Sequence, residues 1–136
     1  MSLFQQRILK FLQPLLLSKS GKQLIVWTLL NMNFSLPISR LYESENLLAF
    51  FHPQPTYPFH VLITPKEKIL NFLSLDTENS FFLMEVNKVA QKIITDYQLD
   101  QCGYRLIVNG GNFQDFPLLH FHLISDKKPS QAKELS

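Results

Sequence analysis

The chain has 136 residues, 13 lysines and arginines, 11 aspartates and glutamates, and a formal net charge of +2. This length suits one domain with a single core, and so modest a charge argues against a nucleic-acid partner, which requires a basic stripe. The single cysteine, Cys102, excludes an internal disulfide and a Cys-x-x-Cys zinc site. We therefore expect a one-domain protein of a reducing, cytoplasmic compartment.

Residues 1–34 are predicted to form a helical extension. Apolar side chains recur at helical spacing over residues 2–17, and residues 23–34 are apolar on most sides. The second helix is shorter than the roughly 20 apolar residues that span a bilayer. Two interpretations stay open: packing on the core or a subunit interface, or contact with a membrane surface or a partner.

Three short strands are predicted next, over residues 41–43, 47–51 and 59–64. Prolines interrupt residues 52–58, so that this link between the second and third strands is irregular. Asp76 is expected to cap a long amphipathic helix whose apolar stripe is Phe82, Val86, Val89, Ile93 and Tyr97.

Two further strands, over residues 104–108 and 118–124, are predicted to pair across the loop 109–117. The order of the elements predicts an α+β fold, a five-stranded, largely antiparallel sheet with helices on one face. The domain covers residues 35–126, and residues 127–136 form a polar tail.

The last predicted strand carries His120 and His122 on one face, because alternate residues of a strand share a face. Leu119, Phe121 and Leu123 then point to the other face, into the core. Two such histidines are also found as surface residues or as hydrogen-bonded core residues. They are metal ligands in some proteins, with His60 or Asp115 as a third ligand here, but no convincing ligand set is present.

The run Leu118-Leu119-His120-Phe121-His122-Leu123-Ile124 resembles the motif His-φ-His-φ-His-φ-φ (φ, apolar) of the histidine-triad (HIT) superfamily, in particular its nucleoside phosphoramidate hydrolases. The resemblance extends over about residues 36–125. It includes the opening strands, His60 with Pro65-Lys66 after it, and the strand that leads into Asn109, Gly110 and Gln114.

The resemblance implies a nucleotide hydrolase or nucleotidyl transferase acting on a nucleoside phosphoramidate or a related mono- or dinucleotide. His120 would attack the α-phosphorus, His122 would stabilise a phosphoryl oxygen, and Asn109 and Gln114 would shape the phosphate side of the site. His60 is either part of the site or a packing residue behind it. This chemistry requires no metal and no cofactor.

Three residues depart from the family pattern around the implied pocket. Leu118 replaces the first histidine of the triad, although its backbone carbonyl can still hold the ring of His120. Asp115 stands where the family commonly has a small hydroxyl residue, and a carboxylate repels phosphate. His52 replaces an aspartate that binds the ribose hydroxyls. These departures motivate the alternative of a catalytically weakened binding or interaction module on the same fold.

The resemblance also implies a homodimer, formed through the long helix and the strand before the glycine loop. The strand over residues 104–108 is then the candidate interface, and pairing would cover an exposed sheet edge.

Overall fold

A computed structural model describes residues 39–128, together with Leu3, Arg7 and Lys10. The helical extension expected over residues 1–34, its membrane or partner contact, and most of the tail 127–136 lie outside the described residues. Within the described part of the chain, no helix has the length and apolar character needed to cross a membrane.

The strands form one five-stranded sheet in the order β1-β2-β3-β5-β4, and every neighbouring pair is antiparallel. Short hairpin links connect β1 to β2 and β2 to β3, because Ser44 and the prolines of residues 52–58 end the strands there. The predicted sheet is therefore confirmed. Its strands are β1 Arg40–Glu43, β2 Leu47–Phe51, β3 Phe59–Pro65, β4 Arg105–Val108 and β5 Phe121–Ser125.

The long helix, α1, spans Ser80–Asp96 and begins one turn later than the sequence predicts. Asp76 caps a 3₁₀ turn, Thr77–Asn79, and does not cap α1 itself. The Asp76 carboxylate accepts the backbone N–H of Glu78 at 2.8 Å, and the Asn79 side chain accepts the N–H of Asp76 at 3.0 Å. These reciprocal bonds close a tight turn before the α-helix starts.

One face of the sheet packs against α1 and forms the core. Phe82, Val86, Val89 and Ile93 of the predicted stripe are buried there, and Tyr97 packs partly buried against them. The strand side chains in this core alternate along the strands, as the pleat requires: Leu47, Ala49, Phe59, Val61, Ile63, Phe121 and Leu123. Leu119, just before β5, is buried with them. Each Leu, Ile, Val or Phe side chain of this set stabilises the fold by about 1.5–3 kcal/mol when fully buried, and Ala49, with only a methyl group, contributes less.

The residues between these core positions point to the opposite face of the sheet. In β3 this face carries His60, and in β5 it carries His122, which pairs in register with Leu62. The face away from α1 therefore holds the imidazoles that the sequence singles out.

The segment 118–120 precedes β5 and is not part of the strand. The N–H of Leu119 donates to the carbonyl of Ile69 at 2.8 Å, in the connector before α1, so it is not available to a sheet neighbour. The prediction of a strand from residue 118 is wrong by three residues. In this irregular backbone the carbonyl oxygen of Leu118 lies next to the ring of His120. In a regular strand the carbonyl would point along the plane of the sheet, towards a neighbouring strand.

Candidate active site

His120 is held at the start of β5 by a backbone carbonyl. Its Nδ1 lies 2.8 Å from the carbonyl oxygen of Leu118, which has a buried side chain. A carbonyl oxygen only accepts hydrogen bonds, so Nδ1 of His120 carries the proton. The other ring nitrogen, Nε2, then has a free lone pair in the neutral ring, and the residue is buried.

A chain of hydrogen bonds fixes the protonation of His60 and His122 in the same way. The backbone N–H of Thr56 donates to Nδ1 of His60 at 3.3 Å, so the proton of His60 is on Nε2. Nε2 of His60 donates in turn to Nδ1 of His122 at 2.9 Å. His122 must therefore carry its own proton on Nε2, which is buried and has no hydrogen-bond partner among the described residues.

Burial keeps these two imidazoles neutral. It lowers the pKa of His60 to about 4, with the neighbouring His52 and His122 adding to the effect. Burial likewise lowers the pKa of His122 to about 4, with His120 and His52 contributing. Both rings are uncharged near pH 7, so the Nε2–H of His122 is a neutral donor, and the ring centres of His122 and His120 are 4.8 Å apart.

His52 completes a cluster of four imidazoles. Its ring centre lies 4.4 Å from that of His60 and 6.3 Å from that of His122. Nδ1 of His52 accepts the backbone N–H of Gln54 at 2.9 Å, which leaves Nε2 as the protonated nitrogen. His52 therefore offers a donor where an aspartate would offer two acceptor oxygens. Burial lowers the pKa of His52 as well.

Asp115 lies at the outer edge of this cluster. Its Oδ1 is 3.7 Å from Nε2 of His120, the nitrogen with the free lone pair. The side chain of Asp115 is 78% exposed, whereas that of His120 is 8% exposed. A carboxylate thus borders Nε2 of His120 from the solvent side.

Asn109 and Gln114 are the two loop residues that the sequence predicts on the phosphate side of the site. Asn109 follows the last residue of β4, Val108, which pairs with Phe121, so its backbone lies beside His120. No hydrogen bond joins Asn109 to the four described imidazoles. Gln114 uses its amide nitrogen to anchor the loop, donating to the carbonyls of Leu70 at 2.7 Å and Phe116 at 2.9 Å. Binding of substrate by either residue stays a prediction.

Sequence reasoning missed the groups that orient the imidazoles. These are the backbone N–H groups of Thr56 and Gln54, and the ring of Phe116, whose centre lies 6.1 Å from that of His120 in an edge-on arrangement. The prolines of residues 52–58 indicate an irregular loop but do not say which N–H faces a ring. Such contacts depend on the local geometry of the backbone, which the residue types alone do not predict.

Within residues 39–128, no three histidine, cysteine, aspartate or glutamate side chains are arranged to hold a metal ion. The cluster places Nε2 of His120 on a ring next to that of His122, whose buried Nε2–H has no hydrogen-bond partner among the described residues. In chemical terms, a ring nitrogen with a free lone pair can attack an electrophile, and an N–H donor can stabilise negative charge on an oxygen bound to it.

Comparisons with known proteins place the chain in a family. The model of the HIT domain matches residues 33–129. A HIT-like protein from Rickettsia prowazekii is 34% identical over 102 residues, which are 69% of this chain and 81% of the relative. This chain belongs to the HIT family.

Solved structures agree with this assignment. The fold superposes on a HIT family hydrolase from Clostridium thermocellum with a TM-score of 0.66 and 34% identity, covering 75% of this chain and 88% of that one. A HIT family hydrolase from Legionella pneumophila gives a TM-score of 0.67 and 27% identity, covering 74% and 91%. The α+β fold expected from the sequence is the fold of these proteins.

Proposed function

We propose that this protein is a nucleotide hydrolase or nucleotidyl transferase that uses His120 as its nucleophile. The substrate is a nucleoside phosphoramidate or a related mono- or dinucleotide. One observation carries the proposal: the 2.8 Å contact between Nδ1 of His120 and the carbonyl of Leu118, which leaves the lone pair of Nε2 free to attack. The hydrolases named among the structural relatives support the same class of reaction.

In the first step, Nε2 of His120 forms a bond to the α-phosphorus. The bond from phosphorus to the leaving nitrogen or oxygen breaks, and the leaving group keeps the electron pair and takes up a proton from solvent, which is returned when water attacks in the second step. In the second step, water attacks the phosphorus, the bond to His120 breaks, and a nucleoside monophosphate is released with a neutral imidazole restored.

The Nε2–H of His122 stabilises the negative charge that develops on a phosphoryl oxygen. This N–H is already oriented and has no partner within the part of the chain that the structure describes, so it does not have to give up a bond to those residues when the charge forms. Removing one preorganised donor of this kind lowers kcat by roughly 100- to 1,000-fold in other enzymes. His60 contributes by holding His122 in the required tautomer.

The proposal is tested by turnover of a small substrate panel, which includes adenosine phosphoramidate and a dinucleoside polyphosphate. Release of monophosphate by the native protein, abolished in His120→Ala, is the expected result. Circular dichroism and thermal unfolding of both proteins verify that the variant is folded. Equal turnover by a folded His120→Ala variant would overturn the assignment of the nucleophile.

A second candidate is a binding module that has kept the site and lost efficient turnover. The observation that favours it is the carboxylate of Asp115, which lies 3.7 Å from Nε2 of His120 and repels phosphate. This candidate predicts that nucleoside monophosphate binds, as measured by calorimetry, while no substrate of the panel is turned over.

We further propose that the protein forms a homodimer through β4. Among the described residues this strand is at the edge of the sheet; Leu106 in the strand is 42% exposed, and Tyr104 just before it is 47% exposed. Pairing with a second copy would satisfy the free edge and cover these side chains. Light scattering should give twice the chain mass of 15.9 kDa, and Leu106→Lys should shift the protein towards the monomer. A native protein that is monomeric at high concentration would contradict the proposal.

A further inference from the structure

The carboxylate of Asp115 lies close enough to His120 to interact with charge on the leaving group of a bound substrate. In an in-line displacement, the leaving group lies on the far side of the phosphorus from the attacking atom. The side chain of His120 is only 8% exposed and that of Asp115 is 78% exposed, so Asp115 borders Nε2 of His120 from the solvent. Its Oδ1 is 3.7 Å from the attacking Nε2, close enough for its charge to act on a group bound to the phosphorus.

The neutral form of His120 gives this carboxylate no hydrogen bond. The proton of the ring is on Nδ1, where it is donated to Leu118, so that Nε2 and Oδ1 of Asp115 face each other as two acceptors. The contact is therefore not a structural ion pair in the reactive state. The negative charge of Asp115 also acts across the cluster, where it opposes the effect of burial on the pKa of His52, His60 and His122.

We infer that Asp115 is a specificity-determining residue that selects substrates whose leaving group carries a positive charge and disfavours those whose leaving group is anionic. The preferred class is then a nucleoside phosphoramidate of an amine with a second, cationic amino group, and not a dinucleoside polyphosphate. This inference rests on the proposed function. It chooses between the phosphoramidate and dinucleotide substrates that the proposed function leaves open.

The test uses three adenosine phosphoramidates that differ only at the end of the leaving amine: aminoethyl, hydroxyethyl and carboxyethyl. Two unit charges about 5 Å apart near a protein surface change an equilibrium by roughly four- to tenfold. The native protein should therefore show kcat/KM about tenfold or more higher for the aminoethyl substrate than for the carboxyethyl substrate. The neutral hydroxyethyl substrate should fall between them.

Asp115→Asn should bring the ratio of the two charged substrates close to one, whatever its effect on the absolute rates. The matched control is Asp100→Asn, which removes one exposed negative charge from the turn Leu99–Gln101, next to the far end of β5. This control should keep the native ratio. A ratio near one in the native protein, or an unchanged ratio in Asp115→Asn, would overturn the inference.

A binding measurement separates this inference from the proposed function. Stable phosphodiesters of adenosine monophosphate with the same aminoethyl and carboxyethyl groups report charge selectivity without turnover. In one outcome the aminoethyl ester binds more tightly than the carboxyethyl ester, and loses this advantage in Asp115→Asn, while no phosphoramidate is turned over. That result would support the charge selection by Asp115 and contradict the proposed enzymatic activity. Turnover of the phosphoramidates without a charge preference would support the enzymatic activity and contradict the charge selection.

Discussion

Nε2 of His60 lies 2.9 Å from Nδ1 of His122, and this hydrogen bond links a backbone loop to the reactive face of the sheet. The loop N–H of Thr56 determines the tautomer of His60, and His60 determines that of His122. The result is that the buried Nε2 of His122 is a donor. Each step follows from the rule that a hydrogen bond needs one donor and one acceptor.

The tautomers are the first prediction. His60 and His122 should carry their proton on Nε2, and His120 should carry its proton on Nδ1. Nitrogen-15 NMR of the imidazoles distinguishes a protonated from an unprotonated ring nitrogen, and it should show the two patterns at pH 7. The account would be wrong if His122 were protonated on Nδ1, because its Nε2 would then repel a phosphoryl oxygen.

Replacing His60 by phenylalanine should lower kcat by about 10- to 100-fold with little change in KM, which is less than the loss expected when a transition-state donor is removed outright. The variant keeps a ring at this position but gives Nδ1 of His122 no donor, so the tautomer is no longer fixed. Steady-state kinetics measure the effect.

The matched control for His60 is Thr56→Ala. This change removes a hydroxyl 3.4 Å from Nδ1 of His60 and leaves the backbone N–H that orients it. Its kcat should stay close to that of the native protein. A large loss in Thr56→Ala with none in His60→Phe would contradict the proposed chain of hydrogen bonds.

Acid should destabilise the fold through the same two rings. Their pKa is about 4 in the folded protein, against 6.5 for an ordinary histidine. Between these values the unfolded chain binds protons that the folded protein does not, so the free energy of unfolding falls as the pH is lowered from 6.5 towards 4. The stabilisation is fully present above pH 6.5.

We expect a loss of about 1–3 kcal/mol over this range, measured by urea unfolding. The double variant His60→Gln, His122→Gln should have a flatter profile, since it lacks both groups. A native stability that does not change between pH 7 and pH 5 would contradict the neutral, buried state of these rings.

Leu118→His restores an imidazole at the first position of the triad but places it where the native side chain is only 1% exposed. We expect it to lower the free energy of unfolding by about 1–3 kcal/mol, the cost of burying a polar group without a partner. Leu118→Met, which conserves volume, should cost less than about 1.5 kcal/mol. A stable Leu118→His variant with much faster turnover would show that the lost imidazole, and not the carbonyl, limits this site.

The sequence alone was sufficient for a five-stranded antiparallel sheet and for the division of the sheet into two faces, but not for the position of β5 between β3 and β4. Alternation placed Leu119, Phe121 and Leu123 in the core, and the structure confirms it. Hydrophobic periodicity has this power because burial of apolar side chains is the largest favourable term in folding.

The details that the sequence could not provide are contacts of backbone groups. The 3₁₀ turn before α1, the irregular segment before β5 and the N–H groups that orient His52 and His60 all depend on local geometry. The resemblance anticipated the carbonyl of Leu118 on the ring of His120, because any residue at that position supplies one. It did not indicate that the side chain of Gln114 would donate a hydrogen bond to the carbonyl of Leu70.

The most direct test of the account is the covalent intermediate. Native protein is mixed with adenosine phosphoramidate, quenched in base within milliseconds to seconds, and analysed by intact mass and peptide mapping. We predict an added nucleotidyl group on His120 that forms and decays with turnover and is absent from His120→Ala. Turnover with no adduct at any time, or an adduct on another residue, would contradict the assignment of His120 as the nucleophile.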